Sequence, residues 1–63
     1  MTWNEICDAA EDCAYGQYAL KVKDQARYEV ELLMNKETDN EDEIEAYINK
    51  HNIIFDEHGC IKK

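Results

Sequence analysis

The sequence predicts an all-α fold, a small three-helix domain with a short C-terminal hairpin or an extended tail. Three segments carry apolar residues at steps of three and four, which is the spacing of one helix face. The segments are separated by glycine or by turn-forming residues, and the 63 residues include no proline. A chain of this length forms one domain, so residues 1–63 are expected to make a single acidic helical unit with a net charge of −8.

The first helix begins with a capping box, in which the Thr2 hydroxyl accepts the Glu5 amide. Its apolar stripe contains the following residues: Trp3, Ile6, Cys7, Ala10 and Ala14. Gly16 interrupts the stripe, and we expect the helix to end near Ala14 or Tyr15 instead of bending through the glycine.

The second helix is expected to be the longest, from Gln17 to about Lys36. Its apolar stripe contains the following residues: Ala19, Val22, Ala26, Val30 and Leu33. Tyr28 and Leu32 extend the apolar arc beyond that stripe. An arc this wide is typical of a helix that is central in a bundle or shared between subunits. Because a three-helix unit can bury only some of its aromatic residues, we expect a homodimer or a bound partner to cover the rest.

The third helix follows the turn-forming residues 35–40 and carries another capping signal, either Thr38 with Glu41 or Asn40 with Glu43. After it, residues 53–55 and 60–61 fit two short strands around a turn, but an irregular tail fits equally well. The predicted core takes the stripe centres of the three helices: Ile6, Val22, Ala26, Val30, Leu33, Ile44 and Ile48.

Charge is segregated along the chain. Residues 1–16 sum to −4, 17–36 to +1, 37–52 to −5 and 53–63 to zero. The acidic segments are open to three interpretations: a surface that only keeps the protein dissolved, a contact for a basic partner, or an imitation of DNA phosphates. We name Glu41, Asp42 and Glu45, together with Tyr28 and Leu32, as the candidate partner-binding residues.

A helix, a turn and a second helix also fit a helix-turn-helix regulator that binds DNA. Its recognition helix would be 41–50, where the acidic residues would face phosphates that need Lys and Arg. Lys21, Lys23 and Arg27 form the one basic cluster. Direct nucleic-acid binding is therefore disfavoured.

Candidate chemistry is sparse. His51, Asp56, His58 and Cys60 lack the spacing of a zinc site, and Cys60 beside His58 has no oxyanion donors near it in sequence. We expect no catalytic, metal or cofactor-binding residues. The sequence contains no apolar run of about 20 residues and no secretory signal, so a cytoplasmic protein with reduced thiols and no membrane contact is expected.

The whole chain, from MTWNEICDAAEDCAYGQYALKVKDQARYEVELL through NIIFDEHGCIKK, resembles the small early protein of 63 residues encoded in the exo-xis region of lambdoid bacteriophages. The resemblance rests on length and overall sequence and transfers no site residues. It implies a small helical, non-enzymatic protein that is made early in infection, acts inside the host bacterium and biases development toward the lytic path. Together with the charge pattern, it predicts a regulator that binds a host or phage protein.

Overall fold

The computed structural model describes residues 1–13 and 15–62. It contains three α-helices: α1 (Trp3–Cys13), α2 (Gln17–Met34) and α3 (Glu41–His51). Each helix packs against the other two. The predicted all-α, three-helix domain is confirmed. No helix within the described ranges has both the length and the apolar character needed to cross a bilayer.

Polar side chains begin the helices where the sequence predicted. Thr2 Oγ1 accepts a hydrogen bond from the Glu5 amide at 3.2 Å. Of the two alternatives before α3, Asn40 is the cap, because its Oδ1 accepts from the amides of Asp42 and Glu43. The Thr38 hydroxyl instead donates to the Glu43 carboxylate at 3.2 Å.

The break between α1 and α2 is confirmed. Gly16 has φ +57° and directly precedes α2, where a residue with a Cβ would be strained. Ala14, a member of the predicted α1 stripe, lies outside the described residues. At its other end α2 stops at Met34, before the expected Lys36, because Asn35 turns into the left-handed conformation and its amide bonds to carbonyls of the last helical turn.

The core lies where the three helix stripes meet. Ala26, Val30, Ile44 and Ile48 are fully buried, and the cluster also includes Trp3, Ile6, Ile53 and Phe55. Six of the seven predicted core residues are therefore buried, including Val22, which is 5% exposed. The prediction for Leu33 is wrong, since this side chain is 48% exposed. From Val30 the stripe continues by four residues to Met34, which packs against the core in its place.

The C-terminal segment combines features of both predicted forms. Phe55 and Ile61 form a single antiparallel bridge, and the described residues contain no strand. The Asp56 carboxylate closes the turn by accepting the amides of His58 and Cys60 at 2.9 and 3.0 Å. Ile53 and Phe55 are buried, so the segment covers one end of the helices.

Gly59 allows this segment to approach α2 closely. It has φ +80°, and a Cβ added to it would lie 2.4 Å from the Val22 carbonyl oxygen. Gly16 shares the positive φ, but nothing lies within 4 Å of a Cβ there.

We predict that Gly59→Ala destabilises the protein more than Gly16→Ala. The change at Gly16 adds backbone strain, about 1–2 kcal/mol, whereas the change at Gly59 adds strain and a steric overlap, roughly 3 kcal/mol or more in all. Thermal unfolding followed by circular dichroism measures both. Equal melting temperatures for the two variants would contradict the close packing of Gly59 on α2.

The burial of Val30 and the exposure of Leu33 give a second prediction. Val30→Asp places an unpaired charge in the core, at a cost above the few kcal/mol available to a domain of this size, and should unfold the protein. Leu33→Asp exposes its charge to water and should leave the helical spectrum intact. A native spectrum for Val30→Asp would mean that α2 faces the core through another stripe.

Candidate functional site

The basic side chains of α2 are used to hold neighbouring segments. Lys23 Nζ lies 3.2 Å from the Glu11 carboxylate of α1, and Arg27 Nε donates to Glu31 at 2.9 Å. Arg27 also pairs with Asp39 and donates to the Thr38 carbonyl, which ties the loop after α2 to the helix.

Glu43 is held in the same way. It pairs with Lys36, and this contact is the main cause that holds the pKa of the Glu43 carboxyl below its ordinary value. The hydrogen bond from Thr38 lowers the pKa further. Glu43 is therefore the member of the acidic first turn of α3 that is committed to an internal contact.

Other carboxylates of α1 and α3 have no such partner. Within the described residues, six of them form no ion pair, and we call this set the acidic surface: Glu5, Asp8 and Asp12 of α1 with Glu41, Asp42 and Glu45 of α3. Five are exposed and Glu45 is partly buried. Because α1 and α3 pack against each other, the two groups are carried by adjacent helices.

Charged residues of several elements, including α1 and α3, affect the pKa of the Cys7 thiol. Burial raises the pKa of Cys7, the Lys23 ammonium opposes this rise, and the carboxylates of Glu41, Glu11 and Asp8 add to it. The fields of α1 and α3 acids therefore overlap at this thiol.

The structure places the five predicted contact residues on two separate surfaces. Glu41, Asp42 and Glu45 belong to the acidic surface. Tyr28 and Leu32, which are 57% and 56% exposed, lie on α2 beside a shallow cleft of about 270 Å³. The other residues that line this cleft are the following: Glu31, Asn35, Lys36 and Glu37. None of the three α3 acids lines this cleft.

The residues considered for chemistry make separate contacts. The His51 ring lies against Tyr47 with centroids 4.3 Å apart, while His58 Nδ1 is 2.8 Å from the Tyr18 hydroxyl. The Asp56 carboxylate accepts hydrogen bonds from backbone amides of its own turn. Across residues 1–13 and 15–62, no group of three or more His, Cys, Asp or Glu side chains is arranged to hold a metal ion.

Sequence reasoning missed the α1 part of the acidic surface. Asp8 and Asp12 are four residues apart on the polar side of α1, which is a visible signal, but the packing of α1 against α3 cannot be derived from this spacing. It also missed Leu20, which is 60% exposed on α2.

Comparisons of the chain with protein-family models, with curated proteins and with solved structures gave no match.

The charges around Cys7 predict how the alkylation rate of its thiol depends on pH. Because Glu41 raises the pKa of Cys7, Glu41→Gln should lower it and speed alkylation at neutral pH, whereas Lys23→Gln should raise it and slow alkylation. Alkylation rates against pH, measured in a Cys13→Ser and Cys60→Ser background, give the pKa directly. No change with Glu41→Gln would show that α3 acids do not act at this point of α1.

Proposed function

We propose that this protein is a non-enzymatic regulator that acts by binding a basic region of another protein through the acidic surface. The observation that carries the proposal is the set of six carboxylates on α1 and α3 that no described basic residue neutralises. Lys23, Arg27 and Lys36 are each paired with a carboxylate elsewhere.

An uncompensated surface of one sign attracts a partner of the opposite sign over distances near the Debye length, about 8 Å at physiological salt. Such attraction mainly speeds association and selects among partners. The partner we expect is therefore a protein with clustered Lys and Arg, and its binding weakens as salt is raised.

The resemblance to the early exo-xis proteins of lambdoid bacteriophages supports a biological setting for this contact. In that setting the protein acts in the cytoplasm of the infected bacterium, binds a host or phage protein, and shifts development toward the lytic path. The homodimer expected from the sequence would use a different surface, on α2.

Mimicry of DNA is a second candidate, favoured by the placement of unpaired carboxylates on two adjacent helices. A partner that normally binds duplex DNA through basic residues would then be the target. The helix-turn-helix alternative gains less support, because Lys23 and Arg27, two of its three basic residues, are already paired with carboxylates.

We predict that neutralising Glu41, Asp42 and Glu45 together weakens partner capture by about tenfold, since the three charges that attract the partner are removed. The variant is Glu41→Gln with Asp42→Asn and Glu45→Gln. Tagged protein is incubated with nuclease-treated bacterial lysate, eluted in steps of salt, and the eluate is identified by mass spectrometry.

The matched control neutralises three exposed acids outside the acidic surface: Asp24→Asn, Glu37→Gln and Glu57→Gln. It changes the net charge equally and should capture the partner normally. Equal loss in both variants would reduce the effect to overall charge and overturn the proposal. Competition for the captured protein by excess duplex DNA would establish mimicry.

The same pair of variants tests the phage setting. Expressed in a bacterium that carries a lambdoid prophage, the native protein and the control should raise the frequency of induction, and the variant of the acidic surface should not. Induction unaffected by the native protein would contradict a role in lytic development.

A further inference from the structure

The exposed apolar side chains of this molecule are concentrated on one helix. Five of the eight large hydrophobic residues exposed in the described chain belong to α2: Tyr18, Leu20, Tyr28, Leu32 and Leu33. Ala26 and Val30 of the same helix are completely buried. The helix is thus apolar toward the core and partly apolar toward water.

Part of this exposed surface has the spacing of a helix that pairs with another helix. Steps of three, four, three and four residues connect five positions, which we call the outer stripe: Tyr18, Lys21, Gln25, Tyr28 and Leu32. This alternation is the heptad spacing of packed helix pairs. Gln25 is ordered by a hydrogen bond of 3.0 Å to Glu29, so the middle of the stripe is already fixed.

We propose that the outer stripe packs in an antiparallel arrangement against the outer stripe of a second copy of this chain. The distribution of charge over the three helices favours a second copy of the chain as the partner of this stripe. The three basic and three acidic side chains of α2 cancel, whereas α1 carries four acids and no base, and α3 carries four acids and Lys50. Two molecules with a charge of −8 each repel least when they meet through α2.

The order of charges along α2 selects the antiparallel direction. Lys21 and Lys23 lie in the N-terminal half, and Glu29 and Glu31 lie in the C-terminal half. Antiparallel packing places each half opposite the half of opposite sign, and the helix dipoles add to this preference. In a pair of outer stripes centred on Gln25, position 21 lies opposite position 29, so Lys21 of the second copy approaches Glu29, next to Tyr28.

The size of the surface sets the strength of the contact. Standard stable interfaces bury about 800 Å² on each partner, which is a large share of the 4479 Å² that this molecule exposes. One helix face offers less, so the dimer is expected to form reversibly and at high protein concentration. The dimer contact lies on α2 and leaves the acidic surface of α1 and α3 exposed, so dimerisation does not depend on the partner proposed above.

Sedimentation equilibrium from about 10 μM to about 1 mM protein, at low and high salt, tests the inference. The native chain should dimerise, and more strongly in high salt, because screening reduces repulsion between the copies. Leu32→Glu should raise the dissociation constant at least about tenfold, since the new charge lies in the interface.

Leu20→Glu is the matched control. Leu20 is 60% exposed on the same helix and lies about 120° around it from Leu32, so the same change of charge should alter the dissociation constant less than about threefold. Circular dichroism verifies that both variants are folded. A native monomer throughout the range, no effect of Leu32→Glu, or equal effects of the two changes would each overturn the proposal.

The antiparallel direction has its own comparison. Lys21→Glu removes the charge that faces Glu29 of the second copy and should weaken dimerisation, most strongly at low salt. Lys50→Glu changes an exposed lysine of α3 by the same charge and should have a smaller effect. Equal effects would show that only total charge matters and would overturn the antiparallel arrangement.

Discussion

The packing of α2 between the other elements is the constraint on which this structure depends. Ala26 and Val30 are completely buried in a cluster that draws residues from all three helices and from the C-terminal segment. A chain this short has no second core to compensate for a defect in the first. The positions of the acidic helices, the loop after α2 and the C-terminal turn all follow from what α2 buries and what it leaves exposed.

That central position also explains the distribution of charge. Two of the three basic residues of α2 form ion pairs with neighbouring elements: Lys23 with α1, and Arg27 with the loop that leads to α3. These ion pairs leave the six carboxylates of the acidic surface without a basic partner among the described residues, so the contacts that hold the elements together also determine the charge of the surface. Self-association through α2 and partner binding through the acidic surface can therefore occur together.

The sequence was sufficient for whatever depends on local spacing. The three helices, the Gly16 break, the Thr2 cap and most of the core follow from periodicity and capping chemistry, which also limited the cap of α3 to Thr38 or Asn40. Leu33 could not be settled this way, because steps of three and of four from Val30 are equally periodic, and only packing selects Met34. Whether Tyr28 of α2 and Glu41 of α3 contact one partner could not be derived from periodicity either, because the distance between residues on different helices depends on how the helices cross.

The C-terminal segment has a consequence for how the protein is made. The Met1 ammonium donates to the Ile53 carbonyl at 3.4 Å, and Ile53 and Phe55 complete the core around Trp3. Residues 53–61 leave the ribosome after all three helical segments, so the apolar stripes that this segment covers stay exposed until it follows. Synthesis therefore includes an interval in which these stripes are open to chaperones and to other nascent chains, and the interval ends when Gly59 reaches Val22.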